Sequence, residues 1–242
     1  MAIEFLLNDE KMKRSRINDI LTESDEMIRS FGFNLPKFAY WSVKEFVNNK
    51  DVAQNIINSR LGWDITDYGS GNFDKLGLFL FTLRNGKIEH LRRGVGMCYA
   101  EKLMISRQDQ LSPMHRHLIK SEDIINRGGA KLVVELYGSN GEGMFDENSG
   151  GTVYCDGVQR HFKAGEKIVL LPGDSVTLMP GDWHAFWGEG GDVLISEVST
   201  VNDDNTDNVF RDSIGRFSNI IEDEPPKHLL VNDYAKWFGL NG

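Results

Sequence analysis

The hydrophobic residues of this chain change their spacing along its length. In residues 8–60 they recur every three to four positions, which predicts helices over "RINDILTESDEMIRSFGF", "LPKFAYWSVKEFVNN" and "DVAQNIINSRLG". Gly32 and Gly62 stand where the first and third of these helices should end, because glycine favours the left-handed backbone found there. We therefore predict a helical N-terminal extension over residues 1–70.

From about residue 75 the pattern changes to short apolar runs separated by Gly, Pro and Asp. The stretch "LGLFLFTLRNGKIEHLRRG" holds two apolar runs joined around Asn85-Gly86, which predicts a β-hairpin. Further runs are "GMCYAEKLMIS", "AKLVVELYG", "TVYCDGVQRHF", "KIVLLPGDSVTLMPGDWHAFWG" and "DVLISEVST". Short strands at such regular spacing predict an antiparallel sandwich or barrel over residues 75–200.

Residues 201–242 are irregular in pattern but rich in aromatic side chains, which predicts a tail that packs on the barrel. No repeat, low-complexity segment or linker-like composition separates these parts. We therefore predict one domain over residues 1–242. Its fold class should be mainly β, with the N-terminal α-helices packed outside a barrel.

Composition narrows the possible partners. A formal charge of −9 and a pI near 5.2 argue against nucleic acid, whose phosphates require a basic face. We expect no membrane partner, because no apolar run is long enough to span a bilayer and the start lacks a signal-peptide pattern. Cys98 and Cys155 have neither disulfide-framework nor metal-type spacing. We interpret both as free thiols in a reducing, cytoplasmic compartment.

A candidate metal site lies in "SPMHRHLIKSEDIINRGG". His115 and His117 are two residues apart, so on a strand both imidazoles face the same side of the sheet. Glu122 follows after a turn, and His184 follows a tight turn in "LMPGDWHAFWG". Three imidazoles and a carboxylate can hold Mn, Fe, Co, Ni or Zn and leave positions open for water or substrate. We assign structural roles to the other histidines, His90, His161 and His228.

The spacing of these four residues resembles a known signature. "HRHLIKSEDIINRGG" and "GDSVTLMPGDWHAFW" are similar to the two halves of the cupin signature, in the expected order. The resemblance implies a double-stranded β-helix, the jelly-roll barrel of that superfamily. Cupins carry out many chemistries, so this fold alone does not define the reaction.

A closer resemblance extends over most of the chain. "SPMHRHLIKSEDIINRGGAKLVVELY", "LMPGDWHAFWGEGGDVLISEVSTVNDDNTDN" and "IGRFSNIIEDEPPKHLLVNDY" resemble the D-lyxose isomerase family. The resemblance implies an aldose–ketose isomerase that interconverts D-lyxose and D-xylulose, and also D-mannose and D-fructose. It implies a divalent metal, usually manganese, held by His115, His117, Glu122 and His184. It also implies a homodimer.

Such a reaction needs a base for the proton on carbon 2 and a cation or acid for the sugar oxygens. Lys102 shares a strand face with small and apolar residues, so it either points into the barrel or is a solvated outer lysine. Glu222 is our first candidate base if the tail covers the barrel mouth, although "EDEPP" also suits an acidic surface loop. Glu197, on a later strand, is the alternative base, or else a residue of ordinary sheet packing.

Three residues are candidates for contact with the sugar. Arg216 in "IGRF" would bind substrate oxygens, and Trp183 beside His184 would stack on the sugar or else fill the core. Asp182 would orient His184, or it is only a turn residue.

Other functions remain open at this level. A cupin oxygenase would use iron and dioxygen at the same four ligands, and a sugar-binding cupin would show no turnover. A phosphosugar isomerase would need basic residues near the metal, whereas Arg92, Arg93, Arg116 and Arg127 are dispersed along the sequence.

Overall fold

The computed structural model of the protein describes residues 11–204, 206–216 and 218–239. Within these ranges the α-helices are α1 Arg14–Ser30, α2 Val43–Asn48, α3 Gln54–Asn58, α4 Ile88–Arg93 and α5 Asp233–Phe238, with a 3-10 helix at Lys37–Tyr40. The strands are β1 Met12–Lys13, β2 Gly62–Thr66, β3 Leu78–Asn85, β4 Tyr99–Ser106, β5 Ser112–His117, β6 Glu122–Ser139, β7 Phe145–Asp146, β8 Gly151–Cys155, β9 Val158–Phe162, β10 Glu166–Leu170, β11 Ser175–Leu178, β12 Trp183–Thr200, β13 Asn208–Phe210 and β14 Ile220–Ile221.

Two long antiparallel strands, β6 and β12, pair with each other and connect the two halves of the barrel. The first part of β6 pairs with β11 and its second part with β10, while β12 pairs first with β5 and then with β4. Both strands bend at glycine pairs. At one of these bends, Gly129 has φ 96° and a Cβ there would lie 2.2 Å from the carbonyl oxygen of Asp192. Only glycine adopts this positive-φ conformation and this close contact without a steric penalty.

The alternation of side chains along β3 and β4 separates two hydrophobic cores. Leu80 of β3 and Met104 of β4 belong to the core inside the barrel. Phe81 and Leu103, on the opposite face, pack with residues of α1 such as Ile20. Because both faces of these strands are covered, they have the nearly continuous apolar sequence seen in this region. The predicted mainly β barrel with helices outside it is therefore confirmed.

The predicted hairpin at Asn85-Gly86 is wrong. β3 does end at Asn85, but its partner is β4, and helix α4 lies in the connection between them. The apolar residues of "KIEHLRR", Ile88 and Leu91, are three apart, which suits a helical turn, and α4 ends at Gly94 with φ 62°. Gly86 instead allows the backbone at Met97 to approach closely, since a Cβ at position 86 would lie 2.0 Å from the carbonyl oxygen of Met97.

The second predicted helix is also divided. A 3-10 turn ends at Tyr40, and α2 begins only after Ser42, whose hydroxyl accepts the backbone N–H of Glu45 at 3.2 Å while the Glu45 carboxylate accepts the Ser42 N–H at 2.8 Å. This reciprocal cap starts a new helix. The sheet itself begins at Gly62, inside the range predicted as helical.

The tail contacts the rest of the chain through short pairings. β13 adds to the main sheet beside β5, and β14 pairs in parallel with β1. Leu230 forms a bridge to Trp63 of β2. That the whole chain forms one domain stays a prediction. None of the helices in the described ranges combines the length and the apolar character needed to cross a lipid bilayer.

Candidate metal centre and active site

The four side chains expected to bind metal converge in the barrel interior. The nearest ring nitrogens of His115, His117 and His184 all lie within 4.8 Å of one another. Oε1 of Glu122 is 3.2 Å from Nε2 of His117 and 3.1 Å from Nε2 of His184. The side chains of His117, Glu122 and His184 are at most 4% exposed.

The strands explain this convergence. His115 and His117 alternate on β5 and so face the same side. His184 lies opposite His115 in the register between β12 and β5. Glu122 is the first residue of β6, directly after the turn that follows β5. Pairing of distant strands therefore joins two segments that are far apart in sequence.

The hydrogen bonds of the rings leave nitrogens available to a cation. Nδ1 of His115 lies 2.8 Å from the carbonyl oxygen of Pro113, and Nδ1 of His184 lies 3.1 Å from that of Asp182. Because a carbonyl only accepts, Nδ1 carries the proton in each ring and Nε2 keeps its lone pair. Nε2 of His184 is buried and makes no hydrogen bond among the described residues, although Oε1 of Glu122 lies 3.1 Å away, because two lone pairs face each other there. An unpaired buried nitrogen is costly, and a cation would remove that cost.

Burial favours the unprotonated histidine that a metal requires. Burial, followed by the nearby rings of His184 and His117, lowers the pKa of His115 well below its ordinary value. Burial alone would raise the pKa of Glu122, but Lys120 and His117 hold it well below its ordinary value. The set of three imidazoles and one carboxylate thus fits a divalent first-row metal.

Two lysines and a second glutamate lie beside this cluster. Nζ of Lys120 is 2.6 Å from Oε2 of Glu122 and 3.0 Å from Oε1 of Glu197. Nζ of Lys102 is 3.4 Å from Oε1 of Glu197 and donates to Oδ1 of Asn202 at 2.7 Å. Lys102 and Glu197 are cross-strand partners on β4 and β12, and both are 3% exposed or less. The lysine therefore points into the barrel.

Arg216 reaches the same pocket from the tail. Its Nη2 lies 3.1 Å from Oδ2 of Asp64 and 3.3 Å from Oδ2 of Asp204. Burial alone would raise the pKa of Asp204, but Lys102, Arg216 and Lys120 hold it well below its ordinary value. Asp204, whose side chain is 17% exposed, is thus an anion beside three cations.

These groups line one cavity in the barrel interior. Its polar lining includes the histidines, lysines and acids described above. Its apolar lining residues are Tyr68, Leu78, Leu80, Met104, Ile124, Phe186 and Phe210. The lining therefore combines charged groups with apolar side chains, and a sugar presents both hydroxyl groups and C–H groups to its binding site.

The structure does not bring Glu222 into this cavity. Its two carboxylate oxygens accept hydrogen bonds from Arg14 at 2.8 and 2.9 Å, and Oε1 also contacts Lys236 at 3.2 Å. The hydrogen bond from Arg14 lowers the pKa of Glu222. Glu222 therefore joins the tail to α1, and the alternative base, Glu197, is the one that lines the pocket.

Two of the expected sugar contacts also lie elsewhere. Trp183 is 1% exposed, packs edge-on against Phe145 and donates from Nε1 to the Ser139 hydroxyl at 3.1 Å, so it fills the core behind His184. The carboxylate of Asp182 accepts the backbone N–H of Met179. Only its backbone carbonyl touches the His184 ring.

Lys120 lines the pocket and Asp207 lies 3.9 Å from Nδ1 of His117, and the sequence reasoning missed both residues. Lys120 stands in "HRHLIKSE", within the metal motif itself, which is a signal that could have identified it. Asp207 lies in the tail and had no such signal. His161 and His228, in contrast, bond Thr152 and the Trp41 carbonyl outside the pocket.

Comparison with known families bears directly on this site. The model of a family described as D-lyxose isomerase matches residues 12–234. The chain belongs to the D-lyxose isomerase family. It is 43% identical over 229 residues to a D-lyxose/D-mannose isomerase of Serratia proteamaculans, covering 93% of this chain and 99% of that one. The enzyme of the same name from Escherichia coli O157:H7 is also 43% identical over 229 residues, covering 93% of this chain and 100% of that one.

Membership in the D-lyxose isomerase family makes the chain an aldose–ketose isomerase, so the predicted enzyme class is confirmed. Solved structures support the fold. L-ribose isomerase of Acinetobacter sp. DL28 in complex with L-ribose aligns with a TM-score of 0.60 at 15% identity, covering 88% of this chain and 100% of that one. L-ribose isomerase of Cellulomonas parahominis with L-ribose aligns with a TM-score of 0.58 at 14% identity, covering 88% of this chain and 100% of that one. The predicted cupin fold class is confirmed by this similarity.

Proposed function

We propose that the protein is a divalent-metal-dependent isomerase that interconverts D-lyxose and D-xylulose, and D-mannose and D-fructose, by proton transfer through an enediol. The observation that carries this proposal is the convergence of three imidazoles and Glu122 beside Glu197 and two buried lysines. The names of the relatives support the choice of sugars. Family membership favours isomerisation over the oxygenase and sugar-binding alternatives.

His115, His117, Glu122 and His184 would hold the cation. When bound, a divalent cation would polarise the carbonyl and neighbouring hydroxyl of the open-chain sugar and so increase the acidity of the proton on carbon 2. The relationship to the D-lyxose isomerase family supports manganese, although the donor set also suits Fe, Co, Ni or Zn.

Glu197 is the base in this proposal. Its carboxylate would take the proton from carbon 2 and return it to carbon 1, while the proton of the carbon 2 hydroxyl passes to the oxygen on carbon 1, so one residue serves both carbon-proton steps. Lys120 and Lys102 lie 3.0 Å and 3.4 Å from this carboxylate and would stabilise negative charge on the sugar oxygens.

The charges in the cavity favour a neutral sugar over a phosphosugar. Lys102, Lys120 and Arg216 each contact carboxylates already, among them Glu197 and Asp204. Cations that are paired in this way have less charge available for a phosphate dianion. They can instead exchange hydrogen bonds with hydroxyl groups, and we propose that Arg216 and Asp204 bind those of the distal carbons.

Two further properties belong to the proposal. The family resemblance supports a homodimer, and the free thiols Cys98 and Cys155 suit a reducing, cytoplasmic compartment.

Isomerisation of D-lyxose in deuterium oxide tests the reaction and the route together. We expect NMR spectra to show D-xylulose formation, with solvent deuterium entering carbon 1 of the ketose at a measurable fraction per turnover. Ketose formation without any deuterium would contradict proton transfer and indicate a hydride shift. The absence of ketose from both D-lyxose and D-mannose would reject the proposed function. His184→Ala is the matched inactive control.

A further inference from the structure

We propose that Asp207 is a positioning residue for the candidate metal centre, because its buried carboxylate holds the turn that joins His117 to Glu122. The inference rests on the metal-dependent function proposed above. It concerns a residue of the tail that neither lines the cavity wall described above nor contacts Glu122.

The carboxylate of Asp207 accepts three consecutive backbone N–H groups. Its Oδ1 accepts those of Leu118 at 3.0 Å and Ile119 at 2.7 Å, and its Oδ2 accepts that of Lys120 at 3.0 Å. Successive N–H groups that point at one centre form an anion-binding nest, and here a side chain of the same protein fills it. One carboxylate therefore holds three successive N–H groups of the turn, and the next N–H, of Ser121, donates to the Thr200 hydroxyl at 3.2 Å.

The backbone of Asp207 is itself held in place. Its carbonyl oxygen accepts the N–H of Leu118 at 3.1 Å, and its own N–H donates to the carbonyl of Asp203 at 3.0 Å. The next residue, Asn208, pairs with His117 in the register of β13 and β5. The carboxylate thus approaches the turn from a strand that is bonded to the histidine strand.

This turn determines where two ligands and a lysine lie. It leads from His117 into Glu122, and its last part carries Lys120, whose Nζ contacts both Glu122 and Glu197. Oδ2 of Asp207 also faces Nδ1 of His117 at 3.9 Å. Loss of the carboxylate would leave the Lys120 N–H without its acceptor in a residue that is 3% exposed, so the turn would have to rearrange.

Manganese binding to the full-length apoprotein tests this inference, measured by calorimetry for the parent and for Asp207→Asn. The amide keeps the shape but presents an N–H₂ group to one of the three N–H donors. We expect the Mn²⁺ dissociation constant to rise by about ten- to a hundredfold, the effect of losing a group that supports metal ligands.

Asp67→Asn is the matched control. Asp67 is also buried, and its two oxygens accept the backbone N–H groups of Gly69 at 2.9 Å and Gly71 at 3.1 Å, but this turn carries no proposed metal ligand. We expect it to lower thermal stability as Asp207→Asn does, yet to leave Mn²⁺ affinity within about twofold of the parent. Parent-like affinity of Asp207→Asn, or an equal loss in Asp67→Asn, would overturn the inference.

A parent that binds no Mn²⁺ would reject the metal-dependent function itself, which is a different failure. If Asp207→Asn does not fold, hydrogen exchange of the parent decides the question. Addition of Mn²⁺ should slow exchange of the Ile119 and Lys120 amides more than that of the Gly69 and Gly71 amides. Equal slowing of the two turns, or none, would contradict the positioning role.

Discussion

Glu197→Gln and Glu222→Gln should affect different properties of the protein, because the two carboxylates have different surroundings. Glu197 is 3% exposed and lies between Lys102 and Lys120 beside the metal centre. Glu222 is bonded to Arg14 and Lys236, on the tail and away from the cavity. One substitution should therefore act on turnover and the other on stability.

The magnitudes follow from these contacts. Removal of a general base lowers the rate by about 10²- to 10⁴-fold, which corresponds to about 2.7 to 5.4 kcal/mol of activation free energy. Hydrogen bonds to a charged group contribute about 1.5 to 3 kcal/mol, and we take the lower end for Glu222 because its side chain is 39% exposed to water. For a chain of this size, about 1.5 kcal/mol lowers Tm by about 3 to 6 °C.

The assay measures the initial rate of ketose formation at saturating D-lyxose and Mn²⁺, together with bound metal and Tm for each variant. We expect Glu197→Gln to lose rate and keep its metal, and Glu222→Gln to keep its rate with a lower Tm. A hundredfold loss of kcat in Glu222→Gln at unchanged metal content, with Glu197→Gln near the parent rate, would refute the reasoning and restore Glu222 as the base.

Three further substitutions follow from the same contacts. Lys102→Met should keep bound Mn²⁺ and lose about a hundredfold in kcat, and a parent-like rate would remove this lysine from the reaction. Arg14→Met should lower Tm by about 6 °C or more, because it leaves the buried carboxylate of Asp233 unpaired at a cost of about 3 kcal/mol or more; calorimetry showing no change would contradict this. The depressed pKa of Asp204 means that its stabilising contribution is present above its unfolded pKa of about 3.9 and is lost as pH falls below it. Between pH 5 and pH 3, the free energy of unfolding measured in urea should therefore fall more steeply for the parent than for Asp204→Asn. Equal decreases in the two proteins would contradict the assignment.

Local alternation was enough to predict part of the site. His115 and His117 on β5, and Lys102 with Met104 on β4, face inwards because residues two apart on a strand share a face. The long helix α1 also followed from its apolar spacing, because its buried face repeats at helical intervals.

The remaining features depend on contacts between distant segments. Glu222 was expected at the barrel mouth, but the buried guanidinium of Arg14, more than 200 residues earlier, binds it instead. Trp183 neighbours His184 and yet faces the opposite side of β12, as alternation requires. Asp207 supports the metal turn only because β13 pairs with β5. Hydrophobic periodicity carries no information about such pairings.

Removal and return of the metal tests the central claim most directly. The protein is treated with a chelator, dialysed and assayed for conversion of D-lyxose to D-xylulose before and after addition of Mn²⁺, with His184→Ala in parallel. We predict that chelation abolishes ketose formation, that Mn²⁺ restores it in the parent, and that His184→Ala remains inactive. Full turnover by the metal-free parent, or restoration of His184→Ala to the parent rate, would contradict the account.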